Sequence, residues 1–198
     1  MLVSLKVIVM DFVTCLKNDG VIAYPTDTVY GLCCRFDSIK AMEHLREIKN
    51  RPLEKSFPIM VANVEQLEKI AYVNEDILKL VDRFMPGPIT LILKKKDIIE
   101  PWMNDNRDTV AIRMACDEKL KSIINDLGVP VFMTSANKSG EKVCISSDEI
   151  KEKLSVDMIY VGKPKGELAS SIVDCTNNYR IIRLGVITQD MIDETIKK

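Results

Sequence analysis

The chemistry available to this chain has to be built from cations and hydroxyls. Lys49-Asn50-Arg51-Pro52-Leu53-Glu54-Lys55 sets three cations within seven residues. Such a set suits a phosphate chain, because guanidinium gives planar bidentate contacts and ammonium a compact charge. The same residues closing a helix would also offset its dipole, and local spacing does not separate the two readings. Thr134-Ser135-Ala136-Asn137-Lys138-Ser139-Gly140 ends a strand in small polar residues and a glycine. That pattern lets backbone approach a ligand, or simply makes a turn. Tyr24-Pro25-Thr26-Asp27-Thr28 breaks a strand at proline and offers hydroxyls and a carboxylate where α/β proteins bind ligands. A polar turn with an Asx cap is the alternative. Thr109-Val110-Ala111-Ile112-Arg113 closes an apolar strand on a charge, which asks for a ligand or a carboxylate opposite Arg113. Ser170-Ser171-Ile172-Val173-Asp174 and Ile181-Ile182-Arg183 add hydroxyls and one more strand-end cation.

What is missing narrows the chemistry. No G-x-x-x-x-G-K-[ST], G-x-G-x-x-G, G-x-S-x-G or H-E-x-x-H occurs. The lone histidine, His44, falls inside a helical pattern and reads as a helix-surface residue rather than a base. Six cysteines, at 15, 33, 34, 116, 144 and 175, form no CxxC pair. Zinc-ligand spacing is therefore absent, no protein-made metal site is expected, and reduced thiols in a core are the expectation. Cations and hydroxyls without a nucleophile suit reactions run by positioning and charge stabilisation around phosphates.

Those groups need a scaffold. The 198 residues, 46% of them hydrophobic, suffice for a core, and the whole chain, 1–198, is expected to form one domain. Lys+Arg (28) and Asp+Glu (29) nearly cancel, so any anion site must be a local cluster. The N-terminal apolar run is broken by Lys6 and Asp11 and lacks a small-residue cleavage site. Its apolar positions 5, 8, 9, 12, 13 and 16 predict an amphipathic first helix. Nothing approaches the roughly 18 consecutive apolar residues of a membrane span, and a cytoplasmic location is expected. Strands are predicted at Val21–Tyr24, Val29–Cys34, Pro58–Val61, Thr90–Leu93, Val110–Met114, Val131–Thr134, Met158–Val161, Ser171–Cys175 and Arg180–Arg183. Helices are predicted after Ser38 (Met42, Leu45, Ile48 inward), after an Asn63/Gln66 capping box, after Asn74 (Ile77, Leu78, Val81) and after Asp117 (Leu120 to Leu127, stopped by Gly128). Lys94–Asp108 and Lys163–Ala169 read as loops. The alternation predicts an α/β domain on a mixed sheet.

Taken together, YPTDTVYGL, KNRP, PGPITLIL, TVAIR, TSANKSG, SSIVD and IIRLGVI stand in the order found in the YrdC/Sua5 family, which the chain resembles from about Val21 to Ile187. These are threonylcarbamoyl-AMP synthases. The resemblance implies a single YrdC-like domain: a twisted, open mixed sheet flanked by helices, with a concave basic pocket. The resemblance is to the short form, without the C-terminal domain of longer members. The implied reaction joins L-threonine, bicarbonate and ATP, with Mg²⁺, into threonylcarbamoyl-adenylate and pyrophosphate. The product passes to a separate transferase machinery that makes N6-threonylcarbamoyladenosine beside the anticodon of tRNAs reading ANN codons.

By the same resemblance, Lys49 and Arg51 match the family's K-x-R and carry catalysis and ATP phosphates. Ser135 and Asn137 match its S-x-N, associated with phosphates and metal. Lys55, Thr109 and Arg183 fall where the family contacts nucleotide; Thr28, Arg113 and Ser170 fall where it holds threonine. The sequence departs from the pattern at Met60, where many members have histidine, at Met85, where tryptophan is usual, and at Val143, where serine is frequent. Two alternatives stand beside this reading. One is a double-stranded RNA or tRNA-binding module, with at most a weak RNA contact at a net charge of −1. The other is the carbamoyl-transfer domain of hydrogenase-maturation proteins, whose neighbouring zinc-finger cysteines have no counterpart here.

Overall fold

The computed structural model describes residues 11–166 and 169–197. Its nine strands are β1 Ile22–Pro25, β2 Tyr30–Arg35, β3 Ile59–Val61, β4 Ile89–Lys94, β5 Thr109–Met114, β6 Val131–Ser135, β7 Met158–Ile159, β8 Ser171–Asp174 and β9 Arg180–Arg183. They form one mixed sheet in the spatial order β7-β1-β2-β6-β3-β5-β4-β8-β9. The pairs β1–β7, β3–β5 and β4–β8 are parallel, and the others are antiparallel. Every predicted strand is present.

The helices are α1 (described over residues 11–17), α2 Ile39–Lys49, α3 Val64–Ile70, α4 Glu75–Phe84, α5 Glu118–Leu127, α6 Ser147–Lys153 and α7 Gln189–Ile196. In α1, Phe12, Val13 and Leu16 are buried as the periodicity predicts, while positions 5, 8 and 9 lie outside the described residues. Ser38, Asn74 and Asp117 each accept a backbone N–H as N-caps. The capping box at α3 is shifted. Asn63 accepts from Gln66 N, but Gln66 Oε1 takes the N–H of Ala62 at 2.9 Å rather than that of Asn63. In α4 the buried stripe is Ile77, Leu80, Val81 and Phe84, spaced i, i+3, i+4, i+7, so Leu78 is left exposed. Helices α6 and α7 escape prediction because their buried stripes are short: Ile150 in one, Ile192 and Thr195 in the other.

Strand alternation makes the two faces of the sheet unlike each other. Val110, Ile112 and Met114 of β5, with Ile89, Leu91 and Leu93 of β4, join the core that packs under α2, α3, α4 and α7. On the other face α1 and α5 cover Ile22, Tyr24, Cys33, Val131 and Met133 of the β1-β2-β6 side. Beyond that cover the same face carries Ala111 and Arg113 of β5, Thr90 of β4 and Ile172 of β8, and all four line open space. Among the described residues no helix covers this part of the sheet, and the cavity lies there. Among the described residues no helix is long and apolar enough to cross a membrane.

Candidate active site

The cavity has a volume of about 480 Å³. Its described lining includes three arginines, Arg51, Arg113 and Arg183, and no carboxylate. Met60, Met133, Ile59, Ala111, Val143 and Ile172 supply an apolar wall.

One end is organised around Arg113, which is buried. Its Nη2 is paired with Asp27 Oδ1, its Nη1 donates to Thr28 Oγ1 at 3.0 Å and its Nε to Gly87 O at 3.1 Å. Thr26 Oγ1 donates to Val29 O at 2.7 Å, so the Thr28 hydroxyl, 3.0 Å away, donates to it in turn. A buried guanidinium is thus matched by a carboxylate and held by a carbonyl and a hydroxyl, as burial of a charge requires. Across the cavity Arg183 folds back on Ser170, donating to its carbonyl at 3.0 and 2.8 Å and to its hydroxyl at 3.0 Å. The Ser170 hydroxyl lies 2.7 Å from Thr90 Oγ1. Arg113 and Arg183 line the same space, and burial, followed by the charge of Arg113, lowers the pKa of Arg183. Gly185 lets this corner close: a Cβ there would stand 2.5 Å from Ala169 O and 2.6 Å from Ser171 N.

The other end begins where α2 stops. Asn50 takes a left-handed conformation (φ 46°), and Arg51 N bonds back to Arg46 O at 3.0 Å, the Schellman pattern. The helix ends immediately after Lys49, and Arg51 is turned into the cavity. Lys49 itself is 1% exposed. Its ammonium donates to Ser135 O, to Asn137 O at 2.7 Å and to Asn137 Oδ1 at 3.1 Å. Its own carbonyl accepts from Ser139 N at 2.7 Å. Ser135 Oγ closes the turn on Asn137 Oδ1 at 2.6 Å. The K-x-R and S-x-N segments are therefore stitched together by Lys49. Burial, followed by the nearby charge of Arg51, pushes the Lys49 ammonium down to about 8. Arg51 is lowered too, by burial and then by Arg46.

The Sua5/YciO/YrdC family model, described as telomere recombination, matches residues 14–185. The chain belongs to this family. A threonylcarbamoyl-AMP synthase of Wigglesworthia glossinidia brevipalpis is 34% identical over 180 residues, spanning 89% of this chain and 93% of that one. One from Vibrio campbellii is 31% identical over 177 residues, spanning 86% and 95%. The crystal structure of P. abyssi Sua5 complexed with L-threonine matches with a TM-score of 0.87 at 29% identity, over 95% of this chain and 57% of that one. The α/β fold with a mixed sheet flanked by helices is that of the family's solved structures.

In this YrdC-family protein the expected residues are not all in one place. Thr28, Arg51, Arg113, Ser135, Ser170 and Arg183 line the cavity. Lys49 and Asn137 stand behind it, holding Ser135. Lys55 is exposed, and its described role is a carbonyl that accepts from Arg51 Nε at 2.9 Å. Thr109 shares a strand face with Arg113 but lines a separate groove with Lys94 and Asp108. Of the three departures, Met60 and Val143 line the cavity, whereas Met85 packs in the core. Thr90, Ser56 and Met133 also line the cavity, outside the residues that the sequence pattern marks. A lone hydroxyl in the apolar run of PGPITLIL was the available signal for Thr90, and nothing in the sequence marks Met133. His44 lies outside the lining, 3.6 Å from Asp157. All six cysteines are free, and burial raises the thiols of Cys15 and Cys116 to about 11 and of Cys175 to about 12, which keeps them protonated.

Magnesium does not fit as a resident ion. Among the described residues no three His, Cys, Asp or Glu side chains converge, and the Ser135 and Asn137 oxygens that face one another receive the Lys49 ammonium instead. A hard cation held mainly by phosphate oxygens and water needs no such cage.

Proposed function

We propose that this YrdC-family protein joins L-threonine, bicarbonate and ATP into threonylcarbamoyl-adenylate and pyrophosphate. The observation that carries the reading is a single cavity with two unlike ends. One is a hydroxyl-lined guanidinium already matched by Asp27; the other is a crowd of cations answered by backbone carbonyls. A zwitterionic amino acid suits the first and a triphosphate the second.

Threonine sits at Thr28, Arg113 and Ser170, with its carboxylate toward Arg113. Its amine takes up carbon dioxide with loss of a proton, or bicarbonate with loss of water, to give a carbamate. A carbamate oxygen then attacks the α-phosphorus of ATP, and the bond from that phosphorus to the bridging oxygen breaks, its electrons leaving with pyrophosphate. Arg51 meets charge growing on the leaving group. Lys49 and Asn137 keep Ser135 at the phosphates, and Arg183 reaches the nucleotide from the far wall. The apolar wall at Met60, Met133 and Ile172 keeps water from the reactive carbamate. The protein works in the cytoplasm, and its product feeds the transferase that modifies tRNA. Incubating it with ATP, magnesium, bicarbonate and one amino acid at a time should give pyrophosphate release specific to threonine. Equal release with alanine would rule the reading out.

A further inference from the structure

Residues 51–58 have no regular secondary structure, and their carbonyls still need donors. Backbone N–H groups reach two of them, Lys55 N to Pro52 O at 3.2 Å and Met133 N to Pro58 O at 2.9 Å, and arginine side chains serve the edge from 52 to 56. Arg51 donates to Lys55 O at 2.9 Å and Ser56 O at 2.7 Å. Arg107, from the loop before β5, donates to Glu54 O at 2.9 Å. Arg46, one helical turn before Lys49, donates to Pro52 O and, at 3.4 Å, to Lys55 O. Arg46 and Arg51 both lie over the buried ring of Phe57, with Cζ 5.3 and 4.7 Å from its centroid. Such contacts favour cations when desolvated.

Arg46 is buried in a helix where a structural ion pair would be the simple explanation. The pair is loose, however. Arg46 Nη2 stands 3.6 Å from Asp105 Oδ1, beyond hydrogen-bond distance, and both Arg46 Nε and Asp105 Oδ2 are buried without a partner among the described residues. The short contact of Arg46 is to the loop. Its charge also faces Arg51 closely enough to lower the pKa of Arg51.

We propose that Arg46 is a positioning residue for the nucleotide end: it clamps the carbonyl edge of residues 52–56 so that Arg51 faces the cavity. Arg107 clamps the same edge from the outside. The inference rests on the reading of the Arg51 end as the ATP site. It predicts an effect confined to ATP. Arg46→Met, which keeps the length of the side chain, should lower kcat/KM for ATP about tenfold, the scale of one lost charge-assisted hydrogen bond, and leave the KM for threonine within about twofold. Arg46→Lys, still able to reach one carbonyl, should recover part of that loss. Arg107→Met is an exposed substitution that keeps the test alive if Arg46→Met does not fold, and it should lower kcat/KM for ATP about threefold. Arg51→Ala serves as the reference. If Arg51→Ala leaves kcat/KM for ATP unmoved, the ATP reading of this end fails. If Arg51→Ala lowers it while folded Arg46→Met, or in its place Arg107→Met, does not, the clamp is wrong. A parallel rise in the threonine KM would mark a merely structural role and also overturn it.

Discussion

The two ends of the cavity treat the charge of their arginines differently. At one end Arg113 is buried beside Asp27, so its charge is matched before any ligand arrives. At the other, Arg46, Lys49 and Arg51 crowd together, with Asp105 the nearest carboxylate, and their hydrogens go to backbone carbonyls. A carbonyl satisfies a donor but does not cancel a charge. Positive potential therefore survives at the Arg51 end, whereas at the other end Asp27 cancels the charge of Arg113 and Arg183, held by Ser170, is the cation left unmatched. The counter-ions, more than the count of cations, distinguish a place for a polyanion from a place for a zwitterion.

The largest test of that difference is Arg51→Ala. It removes a cation with no counter-ion of its own, and threonine-dependent pyrophosphate release should fall about 10²–10³-fold, as when one preorganised transition-state donor is lost. Threonine affinity should hardly change. Near-normal release would break the comparison at its stronger end.

At the matched end the expected pattern is different, because removing one partner strands the other. Arg113→Met leaves Asp27 nearly buried and unpaired, so it should lower the thermal midpoint and raise the threonine KM by about 10–100-fold. Adding Asp27→Asn should recover much of the thermal midpoint while the threonine KM stays high. Recovery of both together would mean that Arg113 serves the fold alone, and the zwitterion argument would fall.

Much of this arrangement was legible in the sequence, for identifiable reasons. In β5 the strict alternation of Val110, Ile112 and Met114 with Ala111 and Arg113 announces both the strand and its two faces. Arg51, Ser135 and Thr28 sit in motifs whose order carries the family resemblance. Thr109 shows the limit of parity. It lies on the same face as Arg113, but four residues along an extended strand carry it about 13 Å away. Thr90 depends on β4 lying beside β8, a parallel neighbour remote in the chain, which no local pattern reveals. Arg46 looks like any polar position of an amphipathic helix until the loop folds back onto it. The depth of Lys49 was equally hidden, since lysines at helix ends are usually solvated.

That depth leads to the smallest of the effects, and it concerns pH. Lys49 titrates at about 8 in the folded protein against an ordinary 10.5, because burial disfavours its charge and Arg51 repels it. Its charged form, present below about pH 8, supplies three hydrogens to three oxygens of the Ser135–Asn137 turn. Deprotonation removes one hydrogen and the charge, so ATP affinity should weaken as pH rises through 8, by about tenfold one unit above it. Stability should move in the opposite direction. Between about 8 and 10.5 the unfolded chain holds this proton and the folded protein does not, so unfolding free energy rises with pH across that window. Substituting Lys49→Met should flatten both dependences. Beside Asp27 at the Arg113 end, burial raises the Cys116 thiol to about 11, so it stays protonated through this window and the threonine KM should stay level over the same range. An ATP KM that stays flat between about pH 7 and 9 in the unsubstituted protein would show that the charge of Lys49 does not reach the nucleotide, and the unmatched end would reduce to Arg51 and its clamp.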